Sequence, residues 1–91
     1  MEKTIILDFC GCETVADIHS VLKEGLGFPE WYGKNWDAFW DMGCDYIPLG
    51  ARLCLKGLCE LPEELGDEAR VLLGILLEIK TECNRLMSIE F

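Results

Sequence analysis

Residues Phe28–Tyr46 read FPEWYGKNWDAFWDMGCDY, and this stretch fixes how the segments on either side must be arranged. Pro29 and Gly33 interrupt any helix entering from upstream, so Trp31–Gly33 reads as a loop. Asn35 is a favoured N-cap residue, and the aromatic and acidic residues after it predict a short helix from Trp36 towards Gly43. Pro48–Gly50 then forms a turn. Upstream of the loop, Val15, Ile18, Val21, Leu22 and Leu26 recur at helical spacing behind Thr14, a second N-cap candidate. Gly25, Gly27 and Pro29 end that helix. Thr4–Phe9 precedes it as an unbroken β-branched and aliphatic run, which predicts a strand covered on both faces.

Downstream of the turn, Arg52–Lys56 carries Leu53, Cys54 and Leu55, a short strand candidate. A brief helical turn at Glu63–Leu65 leads to Asp67, read as the cap of the longest helix, roughly Glu68–Asn84. Its middle, Val71–Leu77, is apolar on nearly every side and predicts deep packing. Met87–Phe91 closes the chain as a last strand. Strand, two helices, strand, helix, strand, with long helical crossovers, is the order of an α/β fold. The expectation is a small three-stranded parallel sheet packed with three to four helices, in a single domain over residues 1–91.

The chain has 91 residues, 51% of them apolar, enough for one core without staples. Seventeen acids against eight bases give a formal charge of −9. That balance disfavours nucleic acid and anionic membranes as direct partners, because both need cationic surface. It suits a basic partner, whose encounter with an acidic protein is steered at long range. No leader peptide and no membrane-spanning run is legible, since charges interrupt every apolar stretch. The expected compartment is the cytoplasm, where all six cysteines stay reduced and their even count is incidental. Cys44, Cys54, Cys59 and Cys83 are scattered, as ordinary buried thiols are.

On a helix starting at Trp36, Asp37 and Asp41 share a face, with Asp45 near the end of the same line. Like charges one turn apart repel by about 0.2–0.5 kcal/mol. The positive end of the helix dipole helps Asp37, but Asp41 lies beyond its reach. Local stability therefore does not account for the row. Every Trp and Tyr of the chain falls between Trp31 and Tyr46. Phe39 and Trp36 are the better core candidates, and Trp31, Tyr32 and Tyr46 are expected half exposed. Aromatics ringed by charge are the residue mix of a protein-binding hot spot, although a Trp-rich core helix with a solvated acidic face would share the pattern. Glu78 and Glu82 form a second acidic pair near the negative end of the long helix, again a poor place for carboxylates. Lys80, close in sequence, points to another face.

The strings Asp17-Ile18-His19, Leu22-Lys23 and Pro29–Asp41 closely resemble the barstar family of ribonuclease inhibitors. The order of elements is similar over essentially the whole chain, and the specific motif spans Asp17–Asp41. The resemblance implies an inhibitor whose helix enters the cleft of a basic ribonuclease such as barnase. It makes Asp41 the central plug carboxylate and Asp37 its neighbour. Trp31 and Tyr32 match paired aromatics that pack on the enzyme, Asn35 a loop residue beside the interface, and Trp40 a partly buried support. Tyr46 falls where the family prototype has Trp, and Glu78 and Glu82 match a peripheral acidic pair. Lys34 departs from the pattern, being positive where the prototype is acidic. The expectation is a protein with no enzyme activity and no cofactor or metal, monomeric when free.

Other readings compete. The domain could carry the same fold to a partner that is not a nuclease. Cys10-Gly11-Cys12 invites a dithiol redox or metal role, but a lone C-x-C lacks the second pair of a structural zinc site. His19 is the only histidine, which excludes a two-His metal site and leaves a packed or capping role. No phosphate-binding loop accompanies the carboxylates, so glycoside or phosphoryl chemistry has no support.

Overall fold

The computed structural model describes residues 3–90. Three strands, β1 (Thr4–Asp8), β2 (Arg52–Lys56) and β3 (Ser88–Glu90), are joined by three helices, α1 (Val15–Leu26) and α2 (Trp36–Tyr46) between β1 and β2 and α3 (Gly66–Glu82) between β2 and β3. The sheet is parallel throughout in the order β1-β2-β3, with Thr4 opposite Arg52 and Leu53 opposite Ile89. Two short 3-10 turns, Leu58–Glu60 and Glu63–Leu65, lead into α3. Phe91, the end of the expected last strand, lies outside the described residues.

The strand reading needs one correction. Ile5 and Leu7 are buried, but Ile6 between them is 55% exposed, so β1 is covered on one face only. On β2, likewise, Leu53 and Leu55 are buried while Arg52 and Lys56 are exposed. The reason lies in the topology. Crossovers of one hand that step β1 to β2 to β3 in a single direction stack every helix on the same side.

Local chemistry sets the helix ends. Thr14 Oγ1 accepts from the Asp17 amide, and the Asp17 carboxylate accepts from the amides of Thr14 and Glu13, a complete capping box on α1. Gly27 ends α1 in the left-handed region at φ 72°, where glycine carries no Cβ penalty. Asp67 is not a cap. The turn at Glu63–Leu65 runs straight into α3, whose preceding residue is Leu65, and leaves Asp67 exposed in the first turn.

The middle of α3 is also less buried than its composition suggests. Leu72, Leu76 and Ile79 reach the core, whereas Val71 and Leu77 are 41% and 57% exposed. A helix lying on one side of a three-stranded sheet has only one face to bury. The core runs between sheet and helices through Leu7, Ile18, Phe39, Leu53, Leu76 and Met87, each fully buried.

Two further ties hold the C-terminal half. Asn84 is buried, donates to the Pro48 carbonyl and accepts from the Gly50 amide, each at 3.0 Å, fastening the turn before β2 to the loop before β3. Cys44 and Cys83 are joined by a disulfide with Cα atoms 5.6 Å apart. That corrects the expectation of six reduced thiols: 39 residues separate the pair, and only the packing of α2 on α3 brings them together. Beside the bond, Gly43 lets the two helices approach, since a Cβ there would collide with Ile79. None of the described helices is long and apolar enough to cross a membrane.

Candidate protein-binding surface

The loop ahead of α2 is fixed from beneath. Tyr32, expected half exposed, is 5% exposed, and its hydroxyl lies 2.7 Å from His19 Nδ1. Its ring packs on Phe28 with centroids 4.8 Å apart. His19 is completely buried and lies 4.3 Å, ring to ring, from Trp36. Burial holds its pKa below the ordinary imidazole value and Lys34 adds to that, while Glu68 opposes it. Burial also pushes the Tyr32 hydroxyl well above the usual phenol range. Trp36 is half buried and donates from Nε1 to Glu68 at 2.6 Å. A continuous set, Tyr32–His19–Trp36–Glu68, thus connects the loop to α1, α2 and α3.

Asn35 caps α2. Its Oδ1 accepts from the Ala38 amide at 2.8 Å, and its Nδ2 donates to the Gly33 carbonyl at 3.1 Å. Lys34 precedes it in the left-handed region at φ 45°, an uncommon conformation for a side-chain-bearing residue, with Nζ 3.2 Å from Ser20 Oγ. Trp31, next to Tyr32 in the chain, is 70% exposed. Tyr46, at the far end of α2, is 39% exposed and meets Phe28 edge-on.

Between α2 and α3 runs an open groove of about 410 Å³, lined by Trp36, Asp37, Trp40, Asp41, Ile75 and Glu78. Trp36, Trp40 and Ile75 form apolar walls, and three carboxylates rim them. Trp40 donates from Nε1 to Glu78 at 2.9 Å, which holds that carboxylate against α2. Asp37 and Asp41 are exposed and, among the described residues, have no cation within ion-pairing distance; the same holds for Glu82. The structure therefore brings Asp37, Trp40, Asp41 and Glu78 together at one groove. Trp31, Tyr32, Asn35 and Tyr46 do not line it; Tyr32 is buried against His19 and Asn35 caps α2.

Sequence reasoning missed Ile75, the Trp36–Glu68 and Trp40–Glu78 bonds and the disulfide, all of which depend on how α2 meets α3. Phe39, expected in the core, is fully buried. Cys10 and Cys12 are unbonded, one exposed and one buried. The Cys10 thiol is pushed up by its hydrogen bond with Asp8, and that of Cys12 by burial, the reverse of an activated thiolate. No cluster of three or more metal-ligating side chains occurs among the described residues.

The fold and the groove define a small α/β protein with an acidic, aromatic surface spread over two helices. The family model described as Barstar (barnase inhibitor) matches residues 2–89. A Bacillus subtilis (strain 168) protein named "Putative ribonuclease inhibitor YrdF" is 34% identical over 80 residues, covering 88% of each chain. The chain belongs to the barstar family.

Proposed function

We propose that this protein inhibits a basic ribonuclease by seating Asp41 and Asp37 in the enzyme's active-site cleft. The observation that carries the reading is that these two carboxylates stand exposed, with no ion-pairing cation among the described residues, along a groove walled by tryptophan. A ribonuclease cleft gathers Arg, Lys and His to hold a phosphodiester and stabilise its charge in the transition state. A carboxylate on a helix can take the phosphate's place and accept the same charge-assisted hydrogen bonds, but offers no bond to cleave. The protein then acts as a plug and performs no chemistry itself.

The groove supplies the second half of recognition. Its indole walls and the Glu78 carboxylate suit the flat guanidinium of an enzyme arginine, which stacks on aromatic faces and pairs with carboxylates. Trp31 and Tyr46 add exposed aromatic area. Tyr32 and Asn35 contribute by fixing the loop and the start of α2. Because α2 is fastened to α3, little side-chain and backbone freedom remains to be lost on binding, which raises affinity.

The direct test is titration of barnase, as the probe enzyme, with the purified protein. The reading expects loss of RNA cleavage at one inhibitor per enzyme molecule. Undiminished cleavage at large excess, by barnase and by the basic ribonucleases of the same source, would refute it.

A further inference from the structure

Cys44 lies in the last turn of α2, three residues beyond Asp41, and Cys83 caps the C-terminus of α3 directly after Glu82. Their disulfide is the covalent seam between the helix bearing Asp37 and Asp41 and the helix bearing Glu78 and Glu82. Both residues are partly exposed and partly packed against the core, so neither is sealed in the interior, and exchange requires that a dissolved thiol or disulfide reach their sulfur atoms. The other four cysteines are free, and Cys10 and Cys59 among them are exposed. Exposed free thiols suit a chain that meets a reducing pool. In such a pool a disulfide is transient and redox-sensing rather than a permanent staple.

We propose that Cys44 and Cys83 form a reversible modification site, a thiol–disulfide switch that locks or releases the two acidic helices. The oxidant is a small disulfide of the glutathione type. One protein thiolate attacks a sulfur of that disulfide, forms a mixed disulfide and expels one small thiolate. The second protein thiolate then attacks the cysteine sulfur of the mixed disulfide and expels the other. Two protons leave the protein thiols, and two electrons pass to the small disulfide, which ends as two thiols. Excess small thiol runs the same steps backwards.

Reduction leaves the non-covalent seam in place. Trp36 still meets Glu68, Trp40 still meets Glu78, and Ile79 still packs at Gly43. The released part is the end of α2 after Gly43, which carries Tyr46 and backs Asp41. The switch stands independently of the function proposed above; its effect on inhibition rests on that reading.

The experiment equilibrates the whole protein in buffers spanning reduced to oxidised glutathione, traps free thiols by alkylation, and reads them by peptide mass. Cys44 and Cys83 should interconvert between free and bonded while the chain stays folded by circular dichroism. Amide exchange over Gly43–Ile47 should be faster in the reduced protein. Barnase inhibition should be roughly three- to tenfold weaker after reduction, the scale of a few side chains regaining freedom. The Cys44→Ser/Cys83→Ser double variant should give that weaker value in both buffers.

A bond that neither opens nor re-forms in the folded protein, or identical amide exchange in both states, would overturn the switch. Equal inhibition by both states, with exchange differing, would overturn its role in binding. Absence of inhibition in either state would count against the ribonuclease reading alone, since thiol trapping and amide exchange decide the switch without the enzyme.

Discussion

His19 carries more of this structure than a lone histidine in a helix suggests. Its Nδ1 meets Tyr32, its ring packs at a tilt against Trp36, and its buried Nε2 has no partner among the described residues. The charged ring carries N–H on both nitrogens, one of them the unpartnered Nε2, and burial favours the neutral form. Glu68 favours the charged form and Lys34 disfavours it, but burial dominates. Because the folded pKa lies below the unfolded value of about 6.5, the unfolded chain binds the proton first as pH falls. The stability contributed by neutral His19 is complete above that value and declines below it, towards the folded pKa. Asp8 and Asp17, held below the usual carboxylate range by backbone amides, lose their contribution only at lower pH. Urea melts at pH 7.5 and 5.5 should show the protein less stable at the lower pH, with the difference reduced in His19→Gln. The motif containing His19 is plain in the sequence, but its role is not. Tyr32 lies 13 residues away on a separate loop, so only the packed fold shows that the two share a hydrogen bond.

At the scale of elements, capping was the most legible feature. Thr14 and Asn35 cap their helices as the sequence suggests, because a cap is a contact between residues three apart and depends on little else. What covers a strand is a longer-range matter: the continuous apolarity of Thr4–Phe9 implied two covered faces, and the one-directional strand order left Ile6 exposed. The apolar middle of α3 misled for the same reason. The two caps offer a matched pair of variants. Thr14→Ala and Asn35→Ala should each lower stability by about 1 kcal/mol in urea melts. Only Asn35→Ala should also weaken barnase inhibition, because it loosens the helix that bears Asp37 and Asp41, whereas Thr14 starts a helix away from the groove. Equal inhibition by both variants would show that the ordering of α2 does not matter to binding.

For the whole molecule, the formal charge of −9 predicts how the complex forms. Steering between unlike charges raises association rates by about 10- to 1000-fold and is screened by salt, with a Debye length near 10 Å at 0.1 M. Stopped-flow association with barnase should slow by about tenfold or more between low and high salt, while dissociation changes far less. A salt-independent association rate would remove steering from the account. The acidic face was legible because Asp41 lies beyond the reach of the helix dipole and one turn from Asp37, where like charges repel. Its second wall was only half legible, since Ile75 joins the groove through the packing of α3 on α2. The claim on which the rest depends is that Asp41 binds the enzyme and does not hold the fold. The measurement is the barnase inhibition constant of Asp41→Ala alongside its urea melt, with Glu78→Ala for comparison. Asp41→Ala should lose roughly 2–5 kcal/mol in binding, because enzyme cations are left buried and unpaired. Its folding stability should be unchanged or higher by a few tenths of a kcal/mol, as repulsion with Asp37 is relieved and Ala favours the helix. Glu78→Ala should cost about 1 kcal/mol or less, as expected of a solvent-exposed carboxylate. An Asp41→Ala protein that unfolds, or that inhibits as tightly as the wild type, would contradict that claim.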